Sequence, residues 1–190
     1  AGRTGGRGDA GWGAVGGSAG GGVDKGQAAK ENRRDGLCKT AGANDAPTEA
    51  FMQQVDTAIM GRHTYEYTME QTTDQLINPY NPATHNIVMT SHPHTGDERT
   101  QFTNTPVTKI VEDLRRTAGQ NIWIVGGAGV LMPLLAADLV DELYIQIAPV
   151  ILGDGIPLFK AIDQQQRFEL VDTNRYGQLA EVHYQRLTTE

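Results

Sequence analysis

The chain has 190 residues, of which 38% are hydrophobic and 21% charged, and its formal net charge is −7. That length suits one domain with a substantial buried core. The acidic balance argues against a general binder of nucleic acid or of anionic membranes, because either partner requires a basic surface. No apolar run approaches the roughly 20 residues that span a bilayer, and the single cysteine, Cys38, excludes an internal disulfide. We therefore expect a cytoplasmic protein that binds neither nucleic acid nor membranes.

Glycine dominates the first part of the chain, where Gly16-Gly17 and Gly20-Gly21-Gly22 stand among small and charged residues. Such a stretch buries too little apolar surface to offset the conformational entropy that is lost when it becomes ordered. We therefore predict a flexible N-terminal segment over residues 1–44 and a folded domain over residues 45–190.

Predicted helices and strands alternate from residue 45 onward. Apolar side chains at helical spacing, with capping residues and glycine stops, predict helices over residues 45–55, 63–69, 105–119 and 128–137. Short apolar runs that end at turn residues predict strands over residues 57–60, 86–90, 122–125, 141–151, 156–159, 168–172 and 181–187. This alternation indicates a three-layer α/β fold with a mixed, mostly parallel central sheet flanked by helices and a C-terminal antiparallel hairpin.

The strongest functional signal is the glycine cluster Gly126-Gly127-Ala128-Gly129, which joins the predicted strand 122–125 to the predicted helix 128–137. The first N–H groups of a helix have no acceptor within the helix, and glycine lets a ligand approach them. Because the helix dipole is positive at this end, the segment is suited to a phosphate or pyrophosphate group.

Two further junctions upstream have the same character. Gly61, Arg62 and Thr64 follow a predicted strand and combine an open backbone with a fixed positive charge and a hydroxyl group. Thr90-Ser91-His92 follows the next predicted strand, at the edge where α/β sheets bind ligands. Each junction is also compatible with an ordinary turn, but three junctions in the same positional role favour a dinucleotide.

Two common nucleotide-binding motifs fit this chain poorly. The segment 127–132 lacks the third glycine of the Rossmann fingerprint and lies late in the chain rather than in the first strand-to-helix turn. A phosphate loop of the Walker type is excluded, because no Gly-Lys-Ser/Thr sequence follows the glycines.

Residues 61–66, 85–91 and 122–129 together resemble the three cofactor-binding segments of dihydrofolate reductase, and they occur in the same order. Residues 139–159 are more similar to the reductase domain of riboflavin biosynthesis. The resemblance extends over residues 50–187. It implies a dihydrofolate-reductase-like fold, NADPH as the hydride donor and a homodimer, which is common in the riboflavin-type branch.

The resemblance also assigns roles to individual residues. It implies that the first junction lies against the adenosine and pyrophosphate, the second holds the ribose with its 2′-phosphate, and the third takes the pyrophosphate and nicotinamide. The cofactor-binding residues implied in this way are Gly61, Arg62, Thr64, Thr90, Ser91, His92, Val125, Gly126, Gly127, Ala128, Gly129 and Val130.

The substrate side is less defined by the sequence. Members of the family begin with a core strand that leads to a Ser-x-Asp-Gly segment, and residues 1–50 contain no convincing version of either, so no catalytic residue is assigned. Gln146 and Asp154 are candidates for the substrate pocket. Alternatively, Gln146 packs inside the sheet with its amide hydrogen-bonded there. Asp154, between two glycines, is alternatively a turn residue. The acids and histidines of residues 92–98 match no closed zinc site, and no metal is expected.

The leading hypothesis is an NADPH-dependent reductase that transfers a hydride to a small heterocyclic substrate of the pterin or ribosylaminopyrimidine kind. The alternative is a non-catalytic dinucleotide-binding or dimerisation module that has lost the substrate pocket. The missing first strand motivates this alternative.

Overall fold

One sheet forms the centre of the computed structural model, which describes residues 12–15, 51–71, 76–92, 94–151, 155 and 157–187. Its eight strands are β1 (Trp12–Val15), β2 (Val55–Gly61), β3 (His85–Met89), β4 (Thr100–Thr103), β5 (Asn121–Gly126), β6 (Glu142–Ile147), β7 (Phe168–Tyr176) and β8 (Leu179–Arg186). Their order across the sheet is β4-β3-β2-β5-β1-β6-β8-β7. Neighbouring strands from β4 to β6 are parallel, whereas β8 is antiparallel to both β6 and β7.

Helices cover both faces of this sheet. They are α1 (Arg62–Gln71), α2 (Val107–Arg115) and α3 (Ala128–Ala136). Successive side chains of a strand point to opposite faces, so each central strand contributes to two cores. The larger core joins α2 and α3 to strand residues such as Ile59 and Ile124. The smaller core joins side chains of α1 to Met60 and Trp123. These layers confirm the predicted three-layer α/β fold, its mostly parallel sheet and its C-terminal antiparallel hairpin.

Strand β1 lies within the segment that we expected to precede the domain. Its backbone is paired between β5 and β6, with Trp12 opposite Trp123 and Gly13 opposite Leu143. The inference that the N-terminal residues supply no core strand is therefore wrong, and the sheet includes residues before the expected boundary at residue 45. A four-residue strand that contains glycine is too short to give an alternating apolar pattern. The other residues of the segment 1–44 lie outside the described residues, and their flexibility stays a prediction.

The predicted elements differ from the observed ones at four other places. The helix predicted over residues 45–55 ends at Met52, and Gln54 donates its N–H to the carbonyl of Phe51 (2.9 Å) before β2 begins. Strand β4 was not predicted, because its sequence Thr-Gln-Phe-Thr has a single large apolar side chain. Strand β6 ends at Ile147, shortly before Pro149, which has no N–H to donate to a neighbouring strand. No strand forms over residues 157–159, and residue 156 lies outside the described residues.

No helix in the described part of the chain has both the length and the apolar character that crossing a membrane requires.

The buried strand β2 gives a direct test of the core. Ile59 is 0% exposed and packs in the larger core. We expect Ile59→Ala to lower the free energy of unfolding by about 2–5 kcal/mol, because it removes buried methyl groups and leaves a cavity. Urea unfolding measures the change.

The matched control is Leu170→Ala, which truncates a side chain that is 58% exposed on β7. This variant should stay within about 0.5 kcal/mol of the unsubstituted protein. Equal losses in the two variants would contradict the assignment of Ile59 to the core.

Candidate functional site

The carboxyl ends of β2, β3 and β5 lie level with one another at one edge of the sheet. Gly61 is opposite Met89, and Met60 is opposite Gly126. The residues that follow the three strands therefore meet around one groove with a volume of about 500 Å3, a size typical of small-molecule sites. It is lined by Gly61, Arg62, His63, Thr64, Met89, Thr90, Ser91, His92, Gly127, Ala128, Gly129, Val130 and Lys160.

The first side of the groove is the junction between β2 and α1. Arg62 donates from Nη1 to Oε1 of Glu66 at 2.7 Å, and its Nη2 lies 3.2 Å from Nε2 of His63. The two side chains of this ion pair are 32% and 44% exposed. Water screens such a pair only in part, so Glu66 offsets part of the positive charge that Arg62 brings to the groove.

The second side is the turn after β3. The backbone N–H of Thr90 donates to the carbonyl of Thr103 (2.9 Å), which holds the turn against β4. The Thr90 hydroxyl oxygen accepts the N–H of His92 at 3.1 Å, so this hydroxyl shapes the turn. Ser91 and His92 are exposed at the groove, with Oγ and Nδ1 3.3 Å apart. They are the polar side chains of this turn that a ligand can reach.

The third side is the glycine turn between β5 and α3. Gly126 has a φ of +122°, a backbone conformation that side chains with a Cβ rarely adopt. Gly127 begins the helix, and its carbonyl accepts the N–H groups of Val130 (2.9 Å) and Leu131 (3.2 Å). No side chain caps this end of α3. The helix N–H groups that precede Val130 are therefore left for a ligand or solvent.

The glycines of this turn leave room beside the helix. A Cβ atom built on Gly127 or Gly129 would have no heavy atom within 4 Å. The open space adjoins the positive end of the α3 dipole, which favours a negatively charged group. The residues present therefore fit the diphosphate of a dinucleotide, both in shape and in the sign of their charge.

The structure brings most of the predicted cofactor-binding residues together. Ten of the twelve line the groove. The other two are Val125, which packs against the core on the α1 face, and Gly126, which forms the connecting turn. The binding roles of all twelve residues stay predictions.

Three residues that line the groove were not selected from the sequence. His63 and Met89 are neighbours of selected residues, so including whole junctions rather than single positions would have found them. Lys160 follows the glycine cluster at a distance and belongs to no motif. It reaches the groove because the chain after β6 returns to α3, where the N–H of Lys160 lies 3.4 Å from Sδ of Met132.

The candidates for the substrate pocket lie elsewhere. Gln146 is the next-to-last residue of β6 and does not line the groove. Its Nε2 donates to Oε2 of Glu181 on β8 at 2.9 Å, so its amide has a partner within the sheet. Asp154 lies outside the described residues.

A polar cluster lies beside Gln146 on the same face of the sheet. Tyr144 donates its hydroxyl to Glu142 (3.3 Å) and stacks on His183, with ring centroids 4.0 Å apart. Nε2 of His183 lies 2.8 Å from the same carboxylate. Burial raises the pKa of Tyr144, and the negative charge of Glu142 raises this pKa further, so the phenol stays protonated. In the described residues, no group of His, Cys, Asp and Glu side chains is placed to hold a metal ion.

The sheet order and the groove at its carboxyl edge define an α/β domain of the dihydrofolate-reductase-like class. The chain matches the RibD C-terminal domain family over residues 23–181, and it belongs to that family. It is 35% identical over 162 residues to the uncharacterized protein YwjB of Bacillus subtilis (strain 168). The alignment covers 85% of this chain and 91% of YwjB.

Two solved structures have similar folds. A putative riboflavin biosynthesis protein from Shewanella sp. PV-4 superposes with a TM-score of 0.64 at 23% identity, over 76% of this chain and 81% of that one. A diaminohydroxyphosphoribosylaminopyrimidine deaminase/5-amino-6-(5-phosphoribosylamino)uracil reductase from Thermotoga maritima gives a TM-score of 0.55 at 15% identity, over 74% of this chain and 48% of that one. These similarities confirm the predicted family resemblance and the fold.

The conformation of the glycine turn can be tested by the stability of the protein in the absence of ligand. We expect Gly126→Ala to destabilise the protein by about 1–3 kcal/mol, because alanine is strained at a φ of +122°. Gly129→Ala is the matched control. It lies in α3 with open space around the new methyl group, and it should be neutral or stabilising by up to about 1 kcal/mol. Thermal unfolding of both variants checks this order, and a larger loss at Gly129 would contradict it.

Proposed function

We propose that this protein is an NADPH-dependent reductase that transfers a hydride to a small heterocyclic substrate of the pterin or ribosylaminopyrimidine kind. One observation carries the proposal: three sequence junctions, each suited on its own to part of a dinucleotide, line the same groove. Membership of the RibD C-terminal domain family, and the reductase named in the Thermotoga structure, support the same type of reaction.

The charges around the groove support an anionic ligand. The whole chain is acidic, with a formal net charge of −7, so an anion has to be held by local groups. The amino-terminal ends of α1 and α3 both lie at the groove, and each adds a partial positive charge. Lys160 contributes a full charge, and Arg62 contributes a charge that Glu66 partly offsets. This concentration of positive charge suits the diphosphate at the centre of NADPH.

The turn after β3 is the proposed site of the 2′-phosphate. Ser91 offers a hydroxyl and His92 an imidazole, and both are exposed at the groove. Arg62 contributes less, because Glu66 already pairs with it. The two side chains of this turn are therefore proposed to select NADPH over NADH.

The bound cofactor supplies a hydride from C4 of its nicotinamide ring. The protein holds the cofactor and the substrate in contact and keeps water out, and positioning of this kind is its main contribution to the rate. Gly127 to Val130, which line the groove, would hold the diphosphate and the nicotinamide side of the cofactor. Strand β1 lies between β5 and β6, so β6 is two strand spacings, or about 10 Å, from the glycine turn.

Gln146 is the proposed contact for the substrate on β6. It lies at the carboxyl edge of the sheet, on the face opposite the core that contains Leu143 and Ile145. Its Nε2 is used by Glu181, which leaves its carbonyl oxygen to accept an N–H from a heterocycle. The role of Asp154 stays a prediction.

The non-catalytic alternative loses its motivation. It depended on the absence of a first core strand, and β1 occupies the place between β5 and β6. Consumption of NADPH in the presence of any pterin or ribosylaminopyrimidine would reject this alternative.

Titration calorimetry with NADPH and NADH tests the proposed function. We expect NADPH to bind more tightly, and the double variant Ser91→Ala/His92→Ala to lose about 10- to 100-fold in NADPH affinity with little change for NADH. The reason is that hydrogen bonds to a charged phosphate contribute about 1.5–3 kcal/mol. Thr95→Ala, in the exposed loop beyond the turn, is the control and should behave like the unsubstituted protein. Absence of binding to either nucleotide would refute the proposal.

We also propose a homodimer, as the resemblance to the riboflavin-type branch implies. Large apolar side chains are exposed where β6 ends, with Ile147 at 55% and Ile151 at 98%. A second copy that covers them would remove this apolar surface from water.

Light scattering after size-exclusion chromatography should give twice the monomer mass, and Ile151→Asp should shift the protein toward the monomer, because the interface would then bury an unpaired charge. The control is Tyr80→Asp, which adds the same charge at a residue that is 42% exposed before β3. A monomer at every protein concentration would contradict the proposed dimer.

A further inference from the structure

Lys160 is a cation at the groove and has no acidic partner among the residues that the structure describes. Its side chain is exposed, and no carboxylate of the described residues lies within 4.0 Å of its ammonium group. Arg62, the other cation of the groove, is paired with Glu66 at 2.7 Å. The full charge of Lys160 is therefore available to an anionic ligand.

The backbone of Lys160 is held against α3. Its N–H lies 3.4 Å from the sulfur of Met132, a buried side chain of that helix. Leu158 and Ile162, two residues away on either side, pack against the same core as α3. Met132 is the fifth residue of α3, which places it about 6 Å along the axis from the start of the helix. Lys160 is thus anchored near the end of α3 that begins with the glycine turn.

This position separates Lys160 from the turn after β3. Ser91 and His92 extend from the strand on the far side of β2, whereas Lys160 belongs to the α3 side of the groove. A lysine ammonium is a compact charge on a flexible stem and needs no fixed geometry to attract a phosphate. Two regions of the groove therefore offer different groups to a dinucleotide.

We propose that Lys160 binds the diphosphate of the nucleotide, together with the start of α3, and takes no part in recognising the 2′-phosphate. This inference rests on the proposed function, because it takes a dinucleotide as the ligand. Lys160 then sets the affinity for NADPH and NADH alike, and the turn after β3 sets the preference between them. Lys160, which follows β6 in the chain, then belongs to the cofactor site.

Lys160→Met tests the assignment, because methionine keeps much of the side-chain length and removes the charge. The dissociation constants of NADPH and NADH are measured by calorimetry at low and moderate salt. We expect both constants to rise by the same factor, about 2- to 5-fold, because exposed charge pairs contribute up to about 1 kcal/mol. The dependence of both constants on salt should become weaker, because one ion pair is lost.

Two further variants make the result specific to charge at this position. Lys160→Arg keeps the charge and should bind both nucleotides nearly as tightly as the unsubstituted protein. Lys109→Met removes an exposed lysine of α2 that lies 3.5 Å from Asp113 and does not line the groove, and it should leave both constants unchanged. Unfolding midpoints equal to that of the unsubstituted protein show that each variant is folded.

The possible outcomes separate this inference from the function on which it rests. Equally weaker binding of NADPH and NADH supports the inference. Weaker binding of NADPH alone overturns the inference and places Lys160 at the 2′-phosphate. If the unsubstituted protein binds both nucleotides and Lys160→Met binds them equally well, the inference is overturned and the proposed function stands. If the unsubstituted protein binds neither nucleotide, both are overturned.

Discussion

The site depends on the parallel pairing of β2 with β3 on one side and β5 on the other. This pairing brings Gly61, Met89 and Gly126 to the same level of the sheet, although they are far apart in sequence. Strand β2 is buried on both faces, so a slip of one residue would turn each of its side chains into the wrong core. The two cores therefore fix the register, and the register brings the three junctions together.

The groove also shows how an acidic protein can present a site for an anion. The positive charge at the groove comes from two helix ends and two side chains at one edge of the sheet. One of these side chains, Arg62, is partly offset by an acid on its own helix, whereas Lys160 has no acidic partner among the described residues. The distribution of charge within the groove is therefore uneven. Arg62 and Lys160 belong to different structural elements, so they can contact different parts of an extended ligand.

The fold and the three junctions could be predicted because their signals are local. Each junction is a strand end followed within a few residues by glycine, hydroxyl or basic side chains, and the parallel alternation implies that such ends share an edge. Strand β1 could not be found in this way, because its four residues are held by main-chain pairing with two distant strands. Lys160 and the partner of Gln146 were missed for a related reason. Their positions depend on contacts with α3 and with β8, which no pattern in the neighbouring residues records.

The central claim is that the three junctions form one dinucleotide site. A crystal structure of the protein soaked with NADPH tests it most directly. We expect the diphosphate between the residues that follow Gly61 and those that follow Gly126, with the 2′-phosphate at Ser91 and His92. A nucleotide bound elsewhere, or a groove that stays empty at saturating nucleotide concentration, would show that the three junctions do not form a dinucleotide site.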